Sequence, residues 1–82
     1  MNSAAVLSRL AAGEFDMQYV TPEFKDGGSL YRIGYEIKGG VITRSKLSGD
    51  TVLETTVYET DEDKLGFILA HPYFFPYDKD FR

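Results

Sequence analysis

The chain has no cysteine and no tryptophan, and only one histidine and three prolines in 82 residues. Without cysteine there is no disulfide framework, no thiolate nucleophile and no thiolate zinc site, a composition that fits a reducing compartment. The lone histidine, His71, has no His, Cys or carboxylate beside it at ligand spacing, so neither a metal centre nor an acid–base pair is expected there. One residue before Pro72, it suits the C-terminal end of a helix dipole instead. No run approaches the roughly 20 apolar residues that cross a bilayer. The stretch Met1–Arg9 lacks the charged start and long apolar run of a secretory signal, so a soluble, cytoplasmic protein with no membrane partner is expected.

The acidic run Asp61-Glu62-Asp63, with Asp78 and Asp80 later, lacks the alternating oxygen ligands, central glycine and terminal glutamate of an EF-hand loop. The doublets Gly27-Gly28 and Gly39-Gly40 lack the strand–glycine–helix setting and the following Lys-Ser/Thr of a phosphate-cradling loop, and read as turns. No nucleophile–base constellation appears either. The sequence therefore predicts no enzyme, no catalytic residue, no cofactor and no metal.

What the chain has in quantity is aromatic: six Phe and six Tyr in a composition that is 43% hydrophobic and 27% charged. Those fractions belong to globular domains, and a chain this short supports a single core, so residues 1–82 are expected to form one domain with an aromatic tail over 72–82. Domains of this size are marginal alone, and a homodimer is one remedy. The net charge of −4 is uneven. Residues 1–46 hold six basic against five acidic side chains, and residues 47–82 hold three against eight. An acidic C-terminal half argues against broad phosphate binding.

Ser3 is a suitable N-cap for a helix over about 4–12, with Val6, Leu7, Leu10 and Ala11 on one face and Gly13 as its stop. Phe15, Met17 and Tyr19 alternate with polar neighbours as a first strand, and 21–29, with Pro22 and two glycines, reads as a loop. Tyr31, Ile33, Tyr35 and Ile37 alternate strictly with Arg32, Gly34, Glu36 and Lys38, the pattern of a strand with one buried face. Strands over 41–47 and 51–60 follow. Thr60 with three acids then opens a helix whose apolar stripe is Leu65, Ile68 and Leu69, Phe67 pointing away. The expected architecture is α+β: a short N-terminal helix, a four-stranded antiparallel meander and a C-terminal helix. The alternative is a helix followed by a five-stranded small β-barrel.

Burial also predicts a register. A two-residue Gly39-Gly40 turn sets Arg44 opposite Tyr35 and Lys46 opposite Ile33, placing both charges over the apolar face. A three-residue loop over 39–41 pairs Ile33 with Leu47 and Glu36 with Arg44, and burial favours it. With a second three-residue loop at 48–50, the inner face becomes Tyr31, Ile33, Tyr35, Ile37, Leu47, Leu53 and Val57. A Glu36–Arg44–Glu54 ladder then lies outside beside Ile42, Lys46 and Val52, each charge pair contributing about 0.2–1 kcal/mol.

By elimination the expected function is a small non-enzymatic protein-binding or regulatory module that docks on another protein, in the general character of bacterial or phage modulators and inhibitors. Aromatics dominate interface hot spots, so Tyr73, Phe74, Phe75 and Tyr77 with Asp78 are the first candidate contacts, then Ile42 and Arg44 on the outer face. The alternative is a nucleic-acid-binding module in which Arg32, Lys38, Arg44 and Lys46 meet on the outer face and the 38–46 hairpin. Glu36 and Glu54 flanking Arg44 weigh against it.

Overall fold

A computed structural model describes residues 3–75 of the chain. Helix α1 (Ser3–Ala11) forms as its apolar spacing predicts: Val6 and Leu10, one turn apart, are both buried, and Leu7 packs partly beside them. Strands β1 (Met17–Val20) and β2 (Phe24–Asp26) lie end to end along one side of β3 (Ser29–Lys38). β4 (Val41–Ser48) pairs with the other side of β3, and β5 (Thr51–Tyr58) pairs with β4. The result is an antiparallel sheet of five strands, open rather than closed into a barrel. Helix α2 (Asp61–Ala70) and a 3-10 turn (Pro72–Phe74) complete the described chain.

Segment 21–29 is not the expected loop. Its second half, β2, forms a hairpin with β3 through Gly27-Gly28, which raises the strand count from four to five. β1 and β2 are one extended edge interrupted by Thr21-Pro22-Glu23, because Pro22 has no N–H to give a ladder. Thr21 bridges the gap. Its N–H donates to the Ile33 carbonyl at 2.9 Å, and its Oγ1 accepts the Ile33 N–H at 3.0 Å.

The expected register is overturned. Lys38 pairs with Val41 across a two-residue Gly39-Gly40 turn, so Tyr35 faces Arg44, Ile33 faces Lys46 and Glu36 faces Thr43. Both glycines have positive φ, +56° and +87°, the backbone of a hairpin turn whose twist matches its strands. The loop at 49–50 is also two residues long, and Lys46, not Arg44, faces Glu54. There is no Glu36–Arg44–Glu54 ladder. Burial does not oppose this register, because the helices cover only part of the Tyr31–Ile37 face: Ile37 meets Ile42 and Met17, and Tyr35 packs on Phe67 of α2. Farther along, Lys46 sets its ammonium 4.3 Å from the Tyr31 ring centre, across from a buried Ile33. A long cationic side chain serves there as apolar cover with a solvated head.

α2 starts as predicted, with Thr60 Oγ1 accepting the Asp63 N–H at 3.0 Å and three acids in the first turn. Its buried face differs: Phe67 and Ile68 enter the core, while Leu69 is exposed. The core under both helices comprises Val6, Leu10, Phe15, Ile37, Ile42, Phe67, Ile68 and Phe75, with Phe15 and Phe75 packed edge to face at 5.1 Å.

Candidate functional site

Because directly opposed residues share a face, the register sorts the sheet into two surfaces. The helix-bearing surface holds Tyr19, Tyr35, Ile37, Ile42 and Tyr58. The opposite surface carries Gln18, Val20, Gly34, Glu36, Thr43, Ser45, Leu47, Thr55 and Val57, and among the described residues no helix lies on it. Its middle is a shallow depression over Gly34, where the missing side chain leaves room and Leu47 Cδ1 closes one wall. Leu47, Leu53 and Val57, expected inside, stand on or beside this uncovered surface, Leu53 and Val57 being 49% and 45% exposed.

β5 forms one border of that surface. It pairs with β4 alone among the described residues, and seven of its eight residues are exposed, Tyr58 being half-buried. Its sequence, Thr-Val-Leu-Glu-Thr-Thr-Val-Tyr, is rich in β-branched residues and carries one charge, Glu54. A strand edge of this kind presents a row of backbone donors and acceptors to any extended chain of matching shape. One irregularity marks it: Lys46 faces Glu54 while Leu47 faces Val52, so Leu53 is an extra, bulged residue.

The residues singled out from sequence are scattered by the fold. Ile42 is 0% exposed at the centre of the core, because the observed turn swings it onto the helix side, and it presents nothing to a partner. Phe75 is buried against Phe15, and Phe74 is half-buried between Tyr19, Tyr35 and His71. Tyr73 is exposed; Tyr77 and Asp78 lie outside the described residues. Arg44, half-buried, stands on the helix-bearing side opposite Tyr35. The basic quartet is divided in the same way. Arg32 and Lys38 share the uncovered surface with Gly34 and Glu36, whereas Arg44 and Lys46 are on the other side. No single surface gathers the four cations.

The aromatic tail organises a second cluster. His71 stacks on Phe67 with ring centres 4.2 Å apart and on Phe74 at 5.5 Å, and its Nδ1 lies 2.9 Å from the Phe67 carbonyl. A carbonyl only accepts, so Nδ1 carries the proton there and the ring seals the end of α2. Desolvation, then the charges of nearby Tyr35 and Tyr19, raise the pKa of Tyr73 above its ordinary value. Among the described residues no group of three or more His, Cys, Asp or Glu side chains is placed to hold a metal ion. No helix among them is long and apolar enough to cross a membrane. No family model, no curated protein and no solved structure matches this chain.

Sequence reasoning missed β5 as the prominent feature because it assigned Leu53 and Val57 to the interior. Gly39-Gly40 and the two-residue loop at 49–50 each move the register by one step and cancel in β5; the bulge at Leu53 adds the further step that turns Leu53 and Val57 away from the helix side, and no local pattern marks it.

Proposed function

We propose that the protein is a small, non-enzymatic, cytoplasmic binding module that docks on another protein by taking an extended segment of it onto the β5 edge. Val52, Leu53 and Val57 provide the side-chain contacts. The observation that carries this reading is the exposure of β5 over seven of eight residues in a strand with no Pro, no Lys and one Glu. Backbone pairing supplies affinity in such complexes and alternate side chains supply selectivity. The segment that fits is itself extended, of low charge and rich in Val, Leu or Thr, because the edge offers one carboxylate and otherwise apolar or hydroxyl-bearing groups. A module of this kind regulates or inhibits by occupancy and needs no chemistry of its own.

Full-length protein with a photo-cross-linker at Val57 is expected to join a discrete protein in its host, and the same protein, purified, is expected to slow amide exchange over residues 51–58. Leu53→Lys should abolish both effects, whereas Leu69→Lys on the exposed face of α2 should leave them intact. Equal loss in the two variants, or protection that falls on α2 and not on β5, defeats the proposal.

A further inference from the structure

Resting on the reading of β5 as a docking edge, we infer that when no host segment holds it the edge is taken by β5 of a second copy of this chain, paired antiparallel about a two-fold axis at Thr55.

Three features of the strand point to its own copy. First, β5 carries one charge in eight residues. That carboxylate, Glu54, is opposite Lys46 in the ladder, but the Lys46 ammonium lies over the Tyr31 ring, and the rest of the strand is Thr, Val, Leu and Tyr. An edge so low in charge suits a partner strand equally low in charge, and β5 is itself such a segment. Second, self-pairing has a register that the residues choose. For the two copies to continue one another's surfaces, opposed residues must share a face, so the axis passes through Glu54, Thr55 or Thr56. An axis at Glu54 sets two carboxylates directly opposite, which is destabilising. One at Thr56 sets Leu53 against Glu59 and Val57 against Thr55. Over residues 53–57, up to the bulge, only the Thr55 axis brings Leu53 opposite Val57 twice, on the uncovered side, with Glu54 opposite Thr56. Third, among the described residues eight make up the contiguous core under the helices. A domain with so small a core gains from extending its apolar surface across a dimer. In the dimer the two uncovered faces run together, bordered at the junction by Leu53 and Val57 from each copy.

A two-fold axis makes each substitution act twice, and this gives the test its power. By sedimentation across concentration, Leu53→Lys and Val57→Glu are each expected to weaken the dimer at least about tenfold, with the circular-dichroism spectrum unchanged. The double variant Leu53→Lys/Val57→Glu is expected to regain the dimer, because the introduced opposite charges then face each other across the axis. Within one chain they stand four residues apart along a strand, too far to pair. The absence of cysteine allows a second reading: under mild oxidation Thr55→Cys should form a disulfide-linked dimer faster than Glu54→Cys or Thr56→Cys, since only the axial residue meets its own copy.

A chain that stays monomeric with a free thiol at Thr55→Cys overturns the inference. Slowed exchange over residues 51–58 that does not vary with concentration overturns it too, in favour of cover by the chain's own remaining residues. Rescue failing in the double variant, or faster cross-linking at another position, overturns the register. If self-association fails while Leu53→Lys still abolishes binding to a host protein, the docking edge stands and only its occupant changes. If the chain dimerises yet no host protein depends on β5, the edge serves assembly and the docking of other proteins fails.

Discussion

One edge of the sheet consists of β1 and β2, four and three residues long, separated by Thr21-Pro22-Glu23; the other is β5, eight residues in succession. The first edge carries the devices that keep sheets from joining: short strands, a proline, and Lys25 in β2. It is also tied inward. Asp16 Oδ1 accepts the Gly39 N–H at 2.9 Å, Gln18 Nε2 donates to Glu36 at 2.8 Å, and Tyr19 meets Phe74 at 5.9 Å. β5 has one bulge and one glutamate in place of all this. Edge protection is therefore uneven within one small sheet, and the less protected side borders the uncovered face. Stability and docking are assigned to different borders of the same sheet.

The two borders share one foundation, and removing it should affect both. Ile42 faces Ile37 on β3 and Tyr58 on β5, and lies wholly inside the core. Ile42→Ala leaves a cavity in the cluster that joins the sheet to both helices, at an expected cost of about 2–5 kcal/mol by urea denaturation. Amides of β1 and of β5 should then exchange faster together. Faster exchange in β5 alone would show that the docking edge is an independent unit and break the account of a common base.

A smaller effect should separate them. Thr21→Val keeps the shape of the side chain but removes the oxygen that accepts the Ile33 N–H across the proline gap. The expected loss is about 1–2 kcal/mol, since a partly buried N–H is left without its partner. Exchange should quicken over β1, β2 and Ile33 while β5 keeps its rates. If β5 responds equally, the bridge at Thr21 braces the whole sheet and not one border.

How much of this was legible in the sequence differs between the borders as well. The helix at Ser3–Ala11, the cap at Thr60 and the strict alternation of Tyr31–Ile37 are local signals, and the folded chain follows each of them. The character of the two faces was not local. It depended on whether Gly39-Gly40 turned in two residues or took Val41 with it, and on how far along the sheet the helices reached. Two left-handed glycines settled the first question through backbone geometry. Two short helices settled the second by covering the Ile37 and Tyr35 end. Once those are known Ile42 moves to the core, and with the bulge at Leu53 Val57 moves to the surface, so the sites expected at Ile42 and Phe75 close while β5 opens. The pairing of β2 was hidden for a related reason: three residues between Pro22 and a glycine pair carry too little pattern to stand out from a loop.

The finest test concerns the one charge that β5 retains. With the two-fold at Thr55, Glu54 faces Thr56 of the other copy and lies diagonal to the second Glu54, about 7–8 Å away by the spacing of antiparallel ladders. That distance makes Glu54 a mild restraint on pairing and not a contact. Lys46, opposite it in the ladder, sets its ammonium over the Tyr31 ring, so the exposed Glu54 carboxylate contributes little to the fold. Glu54→Gln should therefore change unfolding stability by no more than about 0.5 kcal/mol while tightening self-association roughly twofold to threefold. Added salt should tighten the parent protein by screening the same repulsion and should scarcely move the variant. The sign is what matters. If Glu54→Gln loosens the dimer, or if salt loosens the parent, the carboxylate is binding something positive across the edge. β5 would then be a surface for a basic segment, and the difference between the two borders would lie in charge and not in the absence of a guard.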